Sequence, residues 1–216
     1  MTAFKRHATQ FTALMAALLL AGCSEEMIAP GECVNALTQQ EQAAGWRLLF
    51  DGSTLSQWRS YQEEDVNSGW AVEQGCLTRV GMGGDLITRG QFADFELKLD
   101  WRISDSGNSG IFIRGDESPS HRAGAYYDMI APDHDTSAPV GDWNHVHIIA
   151  HGSHVEFWLN GRKTVSFEQG SDAWRTLYLN SKFAGRPAYG SLFKGHIGLQ
   201  DHWDKVWFRN IRIRAL

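Results

Sequence analysis

Short runs in which apolar and polar residues alternate make up most of the chain from Trp46 to its C-terminus. In DFELKLDWRIS (residues 94–104), every second side chain is apolar, from Phe95 to Ile103. This period of two positions is that of a β-strand with one buried face. The sequence has 22 Gly, 9 Trp, 5 Tyr and 11 Phe but only 5 Pro, which favours many short strands joined by turns. We therefore predict an all-β domain, a sandwich or jelly roll.

A short helix is predicted before the first strand. Thr38 is followed by Glu41 three residues later, which is the capping-box pattern, and the helix of about two turns should end at Gly45. No later segment sustains a helical period, although residues 170–183 have room for one turn.

Two turns and a bulge are also predicted. Glycine at position 75 should join two strands, and Asn160-Gly161 between alternating flanks is typical of a β-hairpin. The apolar positions of the last strand break strict alternation, which predicts a bulge near Asn210.

The first 22 residues have the pattern of an export signal. Two basic residues precede a short apolar run that is too short to span a membrane. The run ends in Leu-Ala-Gly before Cys23, which resembles a bacterial lipobox and implies lipidation of Cys23; the alternative is a plain signal with a chance cysteine. Ser24 implies the outer membrane if the cell is Gram-negative. We expect an exported protein, lipid-anchored to the cell envelope, with contact to the membrane through the anchor alone.

We predict that residues 23–34 form a polar tether and that residues 35–216 form one domain. Cys33 and Cys76 form an even pair in an exported chain, which predicts a disulfide, with two free thiols as the alternative. Removal of residues 1–22 takes away two basic residues and changes the net charge from −5 to −7. Such an acidic balance disfavours a nucleic-acid partner.

Closely spaced carboxylates on one strand, the usual signature of a glycosidase on a sandwich fold, are absent from the sequence. Glu96 and Asp100 share a strand face, but Lys98 separates them, which favours a solvated outer face. His145 and His147 also share a strand face. They could bind a divalent metal with further ligands, or belong to a partly exposed polar face. No other cofactor is predicted.

Two other segments place polar groups among apolar ones. In GNSGIFIRG (107–115), Asn108 enters a strand that carries Arg114, and this arginine requires either a ligand oxygen or an acidic partner that braces the sheet. In GAYYDMIAP (124–132), Asp128 is either a general base or acid with a raised pKa, or a turn residue.

Six segments, taken in order, carry a resemblance to a known family: GWRLLFDGSTLSQWR, GGDLITRGQFADFELKLDWRIS, GNSGIFIR, GAYYDMIAP, VGDWNHVHIIAHGSHVEFWLNG and GHIGLQDHWDKVWFRNIRIR. Together they resemble the 3-keto-disaccharide hydrolase domain family from about Asn35 to the C-terminus. The resemblance implies a concanavalin A-like jelly roll of two curved antiparallel sheets with a sugar site on its concave face. It also implies cleavage of glycosides that carry a ketone at C3, by elimination and hydration.

The resemblance assigns roles to individual residues. It implies Asp128, His202 and Arg114 as the chemical groups. The implied carbohydrate contacts are Asp85, Arg102, Asn108, Tyr127 and Gln200. Trp203 stands where the family usually has a glycine, and we add it as a candidate stacking surface for the sugar ring. For Gln200 and His202 the alternative is a polar turn with one satisfied histidine.

One feature of the family is missing. A strand with a Glu-x-Gln pattern usually follows the NSGIFIR strand, and here that interval is only GDESPSHRA (115–123). Two rival functions therefore stay open: a carbohydrate-binding lipoprotein without turnover, and a structural lipoprotein that docks a partner protein.

Overall fold

A computed structural model of the protein describes residues 33–115, 136–186 and 189–216. These residues form two antiparallel β-sheets around a shared core, so the all-β prediction is confirmed. No helix among them is long and apolar enough to cross a membrane. The helices and strands are α1 (Gln39–Ala43), β1 (Arg47–Leu48), β2 (Trp58–Ser60), β3 (Trp70–Glu73), β4 (Cys76–Arg79), β5 (Leu86–Thr88), β6 (Phe95–Ile103), β7 (Ile111–Gly115), β8 (Asn144–His151), β9 (His154–Leu159), β10 (Arg162–Glu168), α2 (Asp172–Leu179), β11 (His196–Leu199) and β12 (Val206–Ala215).

The larger sheet contains, among the described residues, eight strands in the order β10-β9-β8-β6-β12-β4-β3, with β1 paired to β12. Its strands alternate as the sequence predicts. In β6, Leu97 and Leu99 are fully buried in the core, while Lys98 between them lies on the opposite face and is partly exposed.

The smaller sheet has the order β2-β5-β11-β7 among the described residues. Its inner face supplies Leu86, Ile197 and Leu199 to the same core. Gly198 lies on the other face beside Phe112, and a Cβ there would stand 1.8 Å from the Phe112 ring. Only glycine lets the two strands pair at this point.

The predicted helix cap and turns are confirmed. The Thr38 hydroxyl accepts from the Glu41 N–H at 3.1 Å, and the Glu41 carboxylate accepts from the Thr38 N–H at 3.0 Å. The Asn160-Gly161 hairpin has positive φ at both residues, +50° and +78°, as its tight turn requires. The β6–β12 register shifts between Arg209 and Arg212, which places the bulge at the predicted position.

Residues 170–183 contain more helix than predicted. They hold α2, an eight-residue helix, where the sequence indicated one turn. The Ser171 hydroxyl caps it by accepting from the Trp174 N–H at 3.1 Å, and Trp174 is the residue of the helix that is buried. Its apolar stripe is short: Trp174 stacks on Tyr178 one turn later, with ring centroids 5.6 Å apart, which explains why the sequence indicates only one turn.

The cysteine pair is bonded. Cys33 and Cys76 form a disulfide with their Cα atoms 5.2 Å apart, and both side chains are buried. Cys33, which the sequence pattern places in the tether, therefore belongs to the folded domain. Asn35 strengthens this attachment, because its side-chain amide donates to the Gly75 carbonyl at 2.8 Å.

Candidate functional site

One end of the smaller sheet brings together three segments that the sequence singles out. Asp85 precedes β5, Asn108 lies before β7, and Gln200 follows β11. Because β11 is antiparallel to both neighbours, its C-terminal end meets the N-terminal ends of β5 and β7. Two backbone N–H groups fix this meeting point: the Asp201 N–H donates to the Asp85 carboxylate oxygen Oδ1 at 2.9 Å, and the Gln200 N–H donates to the Gly110 carbonyl at 2.8 Å.

The loop after β11 is held by the carboxylate of Asp201. This carboxylate accepts from Arg79 Nε at 2.6 Å and from the N–H groups of Gly83, Gly84 and Trp203 at 3.1, 3.0 and 2.9 Å. Arg79 also donates to the Trp203 carbonyl. Burial alone would raise the pKa of Asp201, but the Trp203 and Gly83 N–H groups and the Arg79 guanidinium outweigh it and lower that pKa. Asp201 is thus an ionised anchor for the loop.

His202 and Trp203 project from this anchored loop into solvent. Trp203 is 72% exposed, and its ring centroid lies 5.4 Å from that of His202. No residue of the described ranges makes a hydrogen bond to the His202 imidazole. Asp201 points the other way, towards Arg79, and its side chain is only 4% exposed. The loop therefore presents an imidazole and an indole, while it buries the carboxylate that precedes them in sequence.

Polar residues from neighbouring segments lie at the same end of the sheet. Asn108 is exposed, Gln200 and Asp85 are half-buried, and the Ser109 hydroxyl donates to the Gln200 carbonyl at 2.8 Å. The Asn108 N–H donates to Asp204 Oδ2 at 2.8 Å, which ties the start of β7 to the same loop. We use the term sheet-end site for one set of residues: Asp85, Asn108, Gln200, His202 and Trp203.

A cavity of about 380 Å³ adjoins Asn108, Ser109 and Gly110. Its remaining walls are mostly core-facing apolar side chains, such as Ile148 and Phe208. A hydroxyl-rich ligand would leave its polar groups unsatisfied there. The exposed rim at His202 and Trp203 is therefore the better surface for a sugar.

Arg114 lies apart from the sheet-end site. It occupies the far end of β7, four residues from Gly110, which is roughly 13 Å along a strand. Its guanidinium is buried and donates to the Ala93 carbonyl at 2.9 Å and to Gln169 Oε1 at 2.7 Å, with Asp94 at 3.7 Å. These contacts correspond to the bracing role that the sequence left open, so the structure does not place Arg114 beside His202.

Arg102, predicted as a sugar contact, lies on the outer face of the larger sheet. Its guanidinium stacks between Trp143 and Trp207, with its carbon 4.9 and 4.6 Å from the two ring centroids. The neighbouring Trp101 and Ile103 point to the inner face. Alternation along β6 thus separates Arg102 from the sheet-end site. Asp128, Tyr127 and Cys23 lie outside the described residues.

Two histidines of β8, His145 and His147, lie beside carboxylates. His145 Nδ1 donates to Asp100 Oδ1 at 2.6 Å, and His147 Nε2 lies 3.4 Å from Glu96 Oε2. Within the three described ranges, no group of three His, Cys, Asp or Glu side chains is arranged to hold a metal ion. A divalent metal at this protein stays a prediction.

Sequence reasoning does not identify two buried polar residues: Arg79, which holds the loop of the site, and His196, which lies at the opposite end of β11. Arg79 lies in CLTR, a strand whose four residues are all buried, and a buried arginine requires a partner. His196 is likewise buried: its Nδ1–H donates to the Thr88 carbonyl at 2.6 Å, and its Nε2 accepts from Gln91 Nε2 at 3.1 Å. Arg79 and His196 are both polar residues in otherwise apolar strands, which indicates a buried polar contact. The sequence does not identify the residue on the other side of that contact.

Comparisons with known proteins agree with this architecture. A 3-keto-disaccharide hydrolase of Bacteroides thetaiotaomicron is 29% identical over 85% of this chain and 82% of its own length. A crystal structure from Parabacteroides distasonis, provisionally named a glycosyl hydrolase, is 31% identical over 84% of this chain and 99% of its own, with a TM-score of 0.77.

A GH16 endo-β-1,3(4)-glucanase shares the fold alone, at 10% identity and a TM-score of 0.50 over 87% of this chain and 97% of its own. It supports the jelly-roll prediction. The sequence model of the 3-keto-alpha-glucoside-1,2-lyase-like domain matches residues 45–214. Because this match covers most of the chain, the protein belongs to the family of 3-keto-alpha-glucoside-1,2-lyase-like domains.

Proposed function

We propose that this protein cleaves glycosides whose sugar ring carries a ketone at C3. The observation that carries the proposal is the sheet-end site: one end of the smaller sheet carries the exposed His202 imidazole, the exposed Trp203 indole beside it, and the residues Asn108 and Gln200. The family description and the name of the Bacteroides thetaiotaomicron relative supply the substrate class.

The chemistry needs no pair of carboxylates. A ketone at C3 acidifies the proton on C2, so that one base can remove it and leave an enolate. The enolate expels the substituent on C1, which takes up a proton as it leaves. Water then adds to C1 and a proton returns to C2, so the net reaction is hydrolysis. This route requires a base, donors to the enolate oxygen and a proton source.

The sheet-end site offers groups for these roles. The imidazole of His202 can accept and return a proton. The amides of Asn108 and Gln200 can donate to sugar oxygens, and the Trp203 indole provides an apolar face for the ring. Asp128 stays the sequence-based candidate for a second acid or base.

One observation favours a second function, carbohydrate binding without turnover. The interval 115–123 lacks the Glu-x-Gln strand that is usual in the family. If that glutamate is the usual base, the exposed Trp203 and its polar neighbours would bind the sugar but not cleave it.

We also propose that the protein is exported and attached to the envelope through lipid on Cys23. The residues between Cys23 and the disulfide at Cys33 would span at most about 35 Å when extended. Metabolic labelling with a fatty acid tests this, because the label should be lost in Cys23→Ser. A labelled Cys23→Ser protein would refute the anchor.

The test of the function is release of 3-keto-glucose from 3-keto-trehalose and 3-keto-sucrose, with and without EDTA. We expect His202→Ala to lower the rate by at least about 100-fold, as for a general base or acid. His151→Ala, an exposed histidine at the end of β8, is the matched control and should keep the rate. Saturable binding without release would favour the second function, and loss of release with EDTA would show that a metal is required.

A further inference from the structure

The outer face of the larger sheet carries a row of side chains that the proposed function does not use. Five strands place them in register: Lys163 pairs with Trp158, Trp158 with His147, His147 with Lys98, and Lys98 with Arg212. We call these five residues the outer row. Because antiparallel partners share a face, all five project away from the core.

Positive charge in this row is not fully compensated. Lys98 has no carboxylate within 4.0 Å among the residues that the structure describes, and its ammonium lies 4.9 Å from the centroid of Trp46. Arg212, in contrast, is paired with Glu41 at 2.8 Å. Lys98 therefore offers an ammonium that can bind an anion.

The two nearest acidic residues of β6 are already engaged. Asp100 accepts from His145, from Arg209 Nε at 3.1 Å and from Asn210 Nδ2 at 2.7 Å. Glu96 accepts from Arg214 Nη2 at 2.8 Å. These carboxylates cannot neutralise Lys98 without giving up shorter contacts.

A concavity lies over this part of the row. It has a volume of about 260 Å³, and its polar and aromatic walls are Lys98, Asp100, His145, His147, Trp158 and Arg212. This volume is just below the roughly 300 Å³ at which pockets for larger organic ligands begin, so it suits a single ring.

The aromatic wall is held in a fixed orientation. Trp158 Nε1 donates to Glu156 Oε2 at 2.9 Å, and Lys163, itself 3.0 Å from Glu156, lies 5.6 Å from the Trp158 ring centroid. A fixed indole offers a flat apolar surface at little entropic cost.

We propose that this pocket binds a pyranose that carries one anionic group, a carboxylate or a phosphate. The anion pairs with Lys98 beside His147, and the apolar face of the ring packs on Trp158. The pocket is distinct from the sheet-end site, because Lys98 and His147 alternate with core residues such as Leu99 and Ile148 and so face away from the smaller sheet. Trp158 lines both this pocket and the cavity beside Asn108.

Calorimetric titration of the purified protein with glucuronate, glucose 6-phosphate and neutral glucose tests the proposal at low salt. We expect at least one of the two anions to saturate and glucose to bind about tenfold more weakly, since a charge-assisted hydrogen bond contributes roughly 1.5–3 kcal/mol. The sugar with the lower Kd, glucuronate or glucose 6-phosphate, shows whether the pocket prefers a carboxylate or a phosphate. Binding should weaken as salt is added.

The variant Lys98→Gln should bind the anionic sugar about tenfold more weakly than the parent protein. The matched control is Lys205→Gln, because Lys205 also lies over an indole on this face, 5.3 Å from the Trp207 centroid, but is paired with Glu73 at 2.8 Å. Thermal melts verify that both variants fold. The proposal is overturned if neither anion saturates, if glucose binds equally well, or if both lysine variants have the same effect.

Discussion

Arg79 Nε donates to Asp201 Oδ1 at 2.6 Å, across 122 residues of sequence. The pair joins the end of β4 in the larger sheet to the loop after β11 in the smaller one. Both side chains are nearly inaccessible, at 8% and 4% exposure. The position of His202 and Trp203 therefore depends on an ion pair whose two side chains hold the Trp203 backbone: Asp201 accepts from its N–H, and Arg79 donates to its carbonyl.

Removal of Arg79 should destabilise the fold. Arg79→Leu leaves the Asp201 carboxylate buried without its cation, and loss of one partner of a buried pair costs about 3–5 kcal/mol. Urea denaturation measures the change in the free energy of unfolding. Arg89→Leu is the control, because Arg89 pairs at 2.8 Å with Asp65, whose side chain is 90% exposed. The free energy of unfolding of Arg89→Leu should fall by less than about 1 kcal/mol. Equal decreases in the two variants would contradict the role of Arg79 as an anchor of the loop.

Acid should weaken the same anchor. The pKa of Asp201 is lowered below its ordinary value of 3.8 in the folded protein, so the unfolded chain binds the proton first as pH falls. The stabilisation from this group is present above about pH 4 and is lost as pH falls through the folded pKa. In Asp201→Asn the free energy of unfolding should thus fall less between pH 5 and pH 3 than in the parent. Parallel curves over that range would show that Asp201 does not titrate as described.

The sequence predicts the architecture well because alternation, turns and caps are local. The Thr38–Glu41 cap, the Asn160-Gly161 turn and the bulge at Asn210 each follow from a few neighbouring residues, and the structure contains all three. The single turn predicted for α2 is also local in origin, because its apolar stripe is short and rests on Trp174 and Tyr178, which stack one helical turn apart.

The site is only partly predictable because its geometry depends on strand order. Asp85, Asn108 and Gln200 meet since β5, β11 and β7 are neighbours, which the resemblance to a known fold anticipates. Arg102 and Arg114 also lie in segments that resemble the family. However, Arg102 stacks between two indoles on the outer face of the larger sheet, and Arg114 braces the far end of β7. A motif match gives the neighbourhood along the chain but not which face of the sheet a side chain occupies.

The disulfide should contribute measurably to stability. The Cys33–Cys76 bond closes a loop between residues 43 positions apart, and such a bond contributes about 2–4 kcal/mol. Reduction with dithiothreitol should therefore lower the melting temperature. The double variant Cys33→Ser/Cys76→Ser should melt near the reduced parent and should not respond to dithiothreitol; a response in that variant would assign the effect to something other than the bond.

Trp203 should lower the free energy of unfolding but contribute to sugar binding. Its φ of +69° is in the left-handed region, which costs a residue with a Cβ about 1–2 kcal/mol relative to glycine. Trp203→Gly should relieve this strain, so the variant should be more stable in urea than Trp203→Ala, by about 1 kcal/mol. Both variants lose the exposed indole, so both should raise KM for a 3-keto-disaccharide by a similar factor, with a smaller change in kcat. An unchanged KM in both variants would remove Trp203 from the sugar site, whereas a stable Trp203→Gly protein with a raised KM would show that the loop keeps a strained tryptophan for the ligand.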